Sequence, residues 1–153
     1  MRVKQIVSED FVNYKKPAMF VGTCFCSGKC PNCQNEDLMS TEVKEISDVK
    51  LCRMYFDNKI TKAIVFGGLE PFDQFSELNH FIILLRVTHL CNDDIVIYTG
   101  YYPKEVEEQL NILKLYPNII VKFGRYIPDD KPVFDDVLGV ELASHNQYAM
   151  KIS

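Results

Sequence analysis

The chain predicts an α/β fold with a mostly parallel sheet, in a single domain spanning residues 1–153. Three observations lead there. Short apolar runs alternate along the chain with amphipathic stretches of helical period. Each intervening stretch is long enough for the next strand to return parallel to the last. The length of 153 residues provides for one domain around one core.

The elements follow in order. Ala18 to Thr23 reads as a buried strand, entered through Pro17 and left at a cysteine-rich loop. Thr41 to Phe56 carries Val43, Ile46, Val49, Arg53 and Phe56 at helical spacing and is expected as an amphipathic helix. Lys62 to Phe66, with Ile64 and Val65, is a strand stopped by Gly67 and Gly68. Asp73 to His89 is a helix with Asp73 as its N-cap and Phe75, Leu78, Ile82 and Leu85 facing inward. Asp94 to Thr99 is a third strand ending at Gly100. Pro103 to Leu115 is a third helix, with Pro103 in its first turn and Val106, Leu110 and Leu113 inward. Asn118 to Phe123 is a fourth strand ending at Gly124, and a loop-rich tail follows with a final strand expected near Val137 to Leu142.

Composition narrows the function. With 47% hydrophobic and 25% charged residues, only seven Gly and seven Pro and no low-complexity tract, the chain is neither disordered nor fibrous. A net charge of −4 and the lack of any basic run argue against a nucleic-acid partner. The apolar runs fall far short of the roughly 20 residues that span a bilayer, and the polar opening MRVKQIVSED does not read as a signal peptide. The expectation is a soluble, cytoplasmic protein with no membrane contact.

In a reducing compartment, clustered cysteines point to a metal or catalytic site rather than to disulfides. Four of the six lie close together, Cys24, Cys26, Cys30 and Cys33, while Cys52 and Cys91 sit in apolar-periodic segments as small buried hydrophobes. Cys26, Cys30 and Cys33 form a C-x3-C-x2-C spacing. Three thiolates on one short loop can each take one iron of a four-iron cluster and leave the fourth iron open for chemistry. Gly28 lets the loop bend, and Lys29 adds positive charge. Three other readings use the same residues: a structural zinc site made of all four cysteines, an electron-carrying cluster with Cys24 as fourth ligand, and plain buried thiols or disulfides.

The second loop, Phe66-Gly-Gly-Leu-Glu-Pro71, follows the second strand. Two glycines there admit a ligand to the backbone, and Glu70 offers a carboxylate to an ammonium group. In parallel sheets, ligands bind beyond the carboxyl ends of the strands. The cysteine loop, the Gly67-Gly68 turn and the Thr99-Gly100 turn are therefore expected to line one site.

These residues resemble the radical S-adenosylmethionine (SAM) superfamily, Cys26, Cys30 and Cys33 its cluster motif and GGLEP its Gly-Gly-Glu-Pro motif. More narrowly, Cys30-Pro-Asn-Cys-Gln-Asn35, Asp94-Ile-Val-Ile-Tyr-Thr-Gly-Tyr101 and Ala143-Ser-His-Asn-Gln147 resemble the activating proteins of anaerobic (class III) ribonucleotide reductases. The resemblance implies a partial (βα) barrel holding one 4Fe-4S cluster on Cys26, Cys30 and Cys33, with SAM bound at the open iron. It implies one-electron cleavage of SAM to methionine and a 5′-deoxyadenosyl radical, which abstracts hydrogen from a glycine of the reductase. Asn32 and Gln34 would flank the adenine end of SAM, Gly67, Gly68 and Glu70 would receive the methionine end, and Thr99 and Gly100 would line the same pocket. The implied partners are the catalytic subunit of the reductase and an electron donor such as a flavodoxin. In this chain Leu69 separates the glycine pair from Glu70, and Asn32 precedes the third cysteine.

Size bears on the substrate. The chain has room for about four or five βα units, fewer than a closed barrel, which leaves one side of the sheet open to a loop of a large partner. Another glycyl-radical enzyme or a small molecule remains an alternative target, and a zinc- or cluster-bearing interaction module without turnover is the alternative of another class. His80 and His89 read as surface or helix-end residues and His145 as a residue near a partner surface. Asp129 and Asp130 read as a solvated turn, and Tyr98, Tyr101 and Tyr102 as packing around the third loop.

Overall fold

Four mostly apolar runs become strands largely buried on both faces, which is what a parallel sheet covered on two sides demands. A computed structural model describes residues 1–28 and 30–153. In chain order its elements are β1 (Arg2–Val3), β2 (Gln5–Asp10), β3 (Ala18–Gly22), α1 (Glu36–Ser40), β4 (Lys44–Glu45), α2 (Asp48–Asp57), β5 (Ala63–Gly67), α3 (Phe75–Ile83), β6 (Asp94–Tyr98), α4 (Glu107–Leu113), β7 (Ile119–Phe123), β8 (Val133–Asp135), β9 (Val140–Leu142) and β10 (Tyr148–Lys151).

Among the described residues, six strands form the central sheet in the order β10-β7-β6-β5-β3-β2. The inner four, β3, β5, β6 and β7, are parallel, while β2 and β10 add antiparallel at the two edges. The fold is thus mixed α/β around a mostly parallel sheet. Successive parallel strands step in one direction, so right-handed crossovers put α2, α3 and α4 on one face. There Leu51, Tyr55, Leu78, Phe81, Leu110 and Leu113 pack against Met19, Val21, Ile64, Phe66, Ile95, Ile97 and Val121.

The other face carries the alternate side chains, many of them small: Ala18, Ala63, Val65 and Val96. Tyr14, Leu138 and Leu142 cover part of it. The β8–β9 hairpin therefore packs against a face that four or five βα units alone would leave bare, and it leaves the carboxyl ends of the strands accessible.

Several elements differ from the expectations. The helix expected from Thr41 starts at Asp48, because the Ser47 hydroxyl caps it by accepting the Lys50 N–H at 3.2 Å and because Lys44–Glu45 pairs with Arg2–Val3. Its buried side is then Leu51, Cys52 and Tyr55, and Val43 and Val49 are exposed. Asp73 does not cap the second helix. A 3₁₀ turn, Pro71–Gln74, precedes α3 and is capped by Glu70, and a π-helical turn, Leu84–Thr88, follows it. The third helix likewise opens as a 3₁₀ turn over Pro103–Glu105, with Val106, Leu110 and Leu113 buried as expected. In the tail, the one expected strand is a hairpin, and β10 follows it back onto β7. No described helix is long and apolar enough to cross a membrane.

Candidate functional site

The carboxyl ends of β3, β5, β6 and β7 open into a cavity of about 550 Å³, within the roughly 300–1,000 Å³ that ligand pockets occupy. Cys26, Cys30 and Cys33 line it, together with Gln34, Gly67, Gly68, Glu70, Thr99 and Gly100. The three loops singled out by the sequence therefore meet at one place. Asn32 stands apart, exposed on the outer turn of the cysteine loop with φ of +47°. Lys29 lies outside the described residues.

The cysteine loop is tied to the strand ends by its first residues. Thr23 donates its N–H and its hydroxyl to the Gly67 carbonyl at 2.8 and 3.1 Å, Cys24 N–H donates to Gln74 Oε1 at 2.6 Å, and Glu70 N–H donates to the Phe25 carbonyl at 2.7 Å. Chain alternation then sends Cys24 away from the cavity. It is only 6% exposed, and burial pushes its thiol pKa up, partly offset by the charge of Lys4. Cys26 is exposed, with Sγ 3.6 Å from the Gly28 carbonyl, and Cys33 Sγ accepts the Asn35 N–H at 3.4 Å. Among the described residues no three Cys, His, Asp or Glu side chains converge on a common metal position. The fold brings the three thiols to one cavity without converging them on a single point.

Glu70 has a definite job. It is 6% exposed, and its carboxylate accepts three hydrogen bonds: Thr99 hydroxyl to Oε1 at 2.8 Å, Phe72 N–H to Oε1 at 3.1 Å, and Gly100 N–H to Oε2 at 2.9 Å. Burial pushes its pKa up, and the Gly100, Thr99 and Phe72 donors pull the other way. A carboxylate has about four lone-pair positions, so one on Oε2 is left for a ligand donor. Leu69, inserted before Glu70, is buried and lines the cavity, so the insertion does not turn the carboxylate out. Gly68 is required by the backbone. Its φ is +81°, and a Cβ there would stand 3.0 Å from Leu38 and 3.3 Å from the Gly22 Cα.

Three further groups escaped the sequence reading. Asp73, free of the expected capping role, accepts the Ser27 N–H, the Ser27 hydroxyl at 3.2 Å and the Tyr101 hydroxyl at 2.8 Å, and the Ser27 and Tyr101 hydroxyls lie 2.7 Å apart. This clasp pins the residue next to Cys26. Lys122, at the end of β7, is buried in the cavity wall, and Gln147 donates to the Gly124 carbonyl at 3.2 Å from the tail. A lysine inside the otherwise apolar run Ile119–Phe123 was a signal that could have been read. His80 and His145 lie outside the cavity, each 2.5 Å from a carboxylate, of Asp48 and Asp130.

The donor set fits an iron-sulfur group. Three thiols line one cavity with a buried carboxylate and a buried ammonium, in a lining that is partly polar and partly apolar. None of the curated proteins compared with the chain matches it. A family model described as a 4Fe-4S single cluster domain, a family associated with radical SAM proteins, matches residues 16–136. That stretch covers more than three quarters of the chain and carries all three cavity cysteines, Glu70 and Lys122. The chain belongs to this iron-sulfur family.

Proposed function

We propose that the protein is a radical SAM activase that generates a glycyl radical on an anaerobic ribonucleotide reductase, and that its one-directional run of parallel strands is a short part of a (βα) barrel. The observation carrying this reading is that Cys26, Cys30 and Cys33 line the same cavity as Glu70, at the carboxyl ends of the parallel strands. Cys26, Cys30 and Cys33 would hold a 4Fe-4S cluster, and the cavity beside them would hold SAM. When bound, these groups supply one-electron reductive cleavage of the sulfonium, ending in hydrogen abstraction from a glycine of the protein substrate.

The chain's own residues bind and orient. The remaining lone pair of Glu70 Oε2 would accept from the ligand ammonium, and Gly67 and Gly68 keep that part of the wall free of side chains. Gln34 stands on the cysteine side of the cavity for the nucleoside end. Cys24 lies outside the cavity that the other three cysteines line, which favours three protein ligands over the four-cysteine zinc or electron-carrier readings. Val12 and Asn13, before β3, and Val140 to Ala143 of the tail also line the cavity.

The test is anaerobic reconstitution with iron and sulfide, reduction, and mixing with SAM and a class III reductase. The expected result is 5′-deoxyadenosine release and a glycyl radical signal in electron paramagnetic resonance on the reductase. SAM cleavage without that signal would move the target to another glycyl-radical enzyme or a small molecule.

A further inference from the structure

Two cysteines that the proposed chemistry does not use lie in one contact, between α2 and the segment that leads into β6. Cys52 is 1% exposed, Cys91 is half-buried just before β6, both are free thiols, and neither lines the cavity. On α2, Cys52 lies one turn before the gap between Tyr55 and Phe56, three and four positions on. The segment His89–Asp93 runs across that same stripe. The Phe56 and His89 ring centroids are 5.0 Å apart, and the Tyr55 hydroxyl donates to Asp93 Oδ2 at 2.6 Å. Cys91 is the middle residue of the segment and packs on the core cluster that contains Cys52. Burial pushes the Cys52 thiol up to about 11 and raises the Tyr55 hydroxyl, and the charge of Cys91 adds to both.

The segment is held in place. Arg86 donates Nη1 to the Cys91 carbonyl at 2.6 Å, Nη2 to the Asp93 carbonyl at 2.8 Å and Nε to the Pro117 carbonyl at 3.1 Å. The Cys91 N–H donates to the Leu85 carbonyl at 3.0 Å. Of the two sulfurs, Cys91 has the more accessible one. Burial pushes its thiol pKa up, and the Asp93 N–H and the Arg86 charge pull the other way.

We propose that Cys52 and Cys91 are an oxidisable pair that a peroxide converts to a disulfide, stapling α2 to the segment entering β6. The Cys91 thiolate attacks one peroxide oxygen, the O–O bond breaks, and the released thiol proton leaves with the other oxygen as water, giving Cys91 sulfenic acid. The Cys52 sulfur then attacks the Cys91 sulfur, the S–O bond breaks with loss of a second water, and the S–S bond closes. The two thiols give up two electrons, which reduce one peroxide to two waters. The cysteines are 39 positions apart, and closing a loop of that length restricts the unfolded chain. The staple sits at the amino end of β6, opposite the cavity at the carboxyl ends of the strands, so the inference stands apart from the proposed reaction.

The test uses the full chain carrying Cys26→Ser, Cys30→Ser and Cys33→Ser together, so that the loop thiols neither bind metal nor compete for oxidant. The reduced protein is treated with hydrogen peroxide, its remaining thiols are alkylated, and it is digested without reductant for mass spectrometry. The expected result is the Cys52 peptide joined to the Cys91 peptide, released again by dithiothreitol, with a higher denaturant midpoint in the oxidised than in the reduced protein. Adding Cys91→Ala should abolish both the cross-link and the midpoint shift and leave Cys52 as an alkylated thiol.

Cys52 recovered as an alkylated thiol from the oxidised triple variant, or Cys91 recovered as sulfinic acid, would overturn the inference. So would an oxidised midpoint no higher than the reduced one, or a shift that survives Cys91→Ala. If the triple variant does not fold, the same peptide map on wild type decides. There Cys52 joined to Cys91 supports the pair, and Cys52 left free or joined to a loop cysteine overturns it.

Discussion

Thr99 donates its hydroxyl to Glu70 Oε1 at 2.8 Å and accepts the Tyr101 N–H at 3.0 Å, so the turn after β6 is fastened to the turn after β5 through one buried carboxylate. The turns expected to line a site together are bonded to each other. Thr99 and Gly100 shape the cavity largely by setting where Glu70 points. Thr99→Val keeps the volume and removes both bonds, and the expected loss is about 1–3 kcal/mol of stability by denaturant unfolding, with weaker binding of the amino-acid end of a ligand. Thr99→Ser should behave close to wild type.

The cysteines should divide three to one. Cys26→Ser, Cys30→Ser and Cys33→Ser are each expected to lose most iron and sulfide and the brown colour after anaerobic reconstitution. Cys24→Ala, whose side chain is buried away from the cavity, should keep both. Iron loss in Cys24→Ala equal to that of the others would restore a four-cysteine site.

The clasp on Ser27 predicts a kinetic effect. Asp73 holds the residue next to Cys26 by its N–H and hydroxyl and is itself held by Tyr101. Asp73→Ala should lose its cluster to a chelator roughly threefold to tenfold faster than wild type, with Asp73→Asn between the two, as expected when a charged acceptor is replaced by a neutral one. Absorbance decay in the presence of the chelator measures this.

Lys122 predicts a pH dependence of stability. Burial lowers its pKa from 10.5 to about 8, so between those values the unfolded chain holds a proton that the folded chain has released. Unfolding then takes up a proton, and stability rises with pH across that window. Relative to Lys122→Met, wild type should gain on the order of 3 kcal/mol from pH 8 to pH 10.5. A constant difference between the two proteins over that range would contradict the burial of a charged lysine.

The central strands were legible because β3, β5, β6 and β7 are mostly apolar runs, interrupted by Lys122 in β7 and opened by Asp94 in β6, each followed by glycine or threonine. The edge strands were not. β2 reads Gln-Ile-Val-Ser-Glu-Asp and is largely exposed, and β10 has four residues, so neither carries a period long enough to register. The register of α2 was misread because Val43 and Ile46 continue the apolar spacing backwards past Ser47, and local pattern cannot tell that Lys44–Glu45 will find Arg2–Val3. At the site, the cysteine spacing and the glycine pair are local signals and were readable. Asp73 was assigned the nearest local role, and its actual partners, Ser27 and Tyr101, are 46 and 28 residues away. Lys122 stood out in its strand, but the charges it faces belong to loops after other strands.

The proposed activity requires a cluster that keeps one iron free of protein ligands beside a cavity that accepts SAM. Incubating anaerobically reconstituted, reduced wild-type protein with SAM and quantifying 5′-deoxyadenosine tests this most directly. The expected result is about four iron and four sulfide per chain together with 5′-deoxyadenosine formation that disappears in Cys30→Ser. A fully loaded, fully reduced cluster that leaves SAM intact, or a chain that retains about one zinc and no iron, would contradict it.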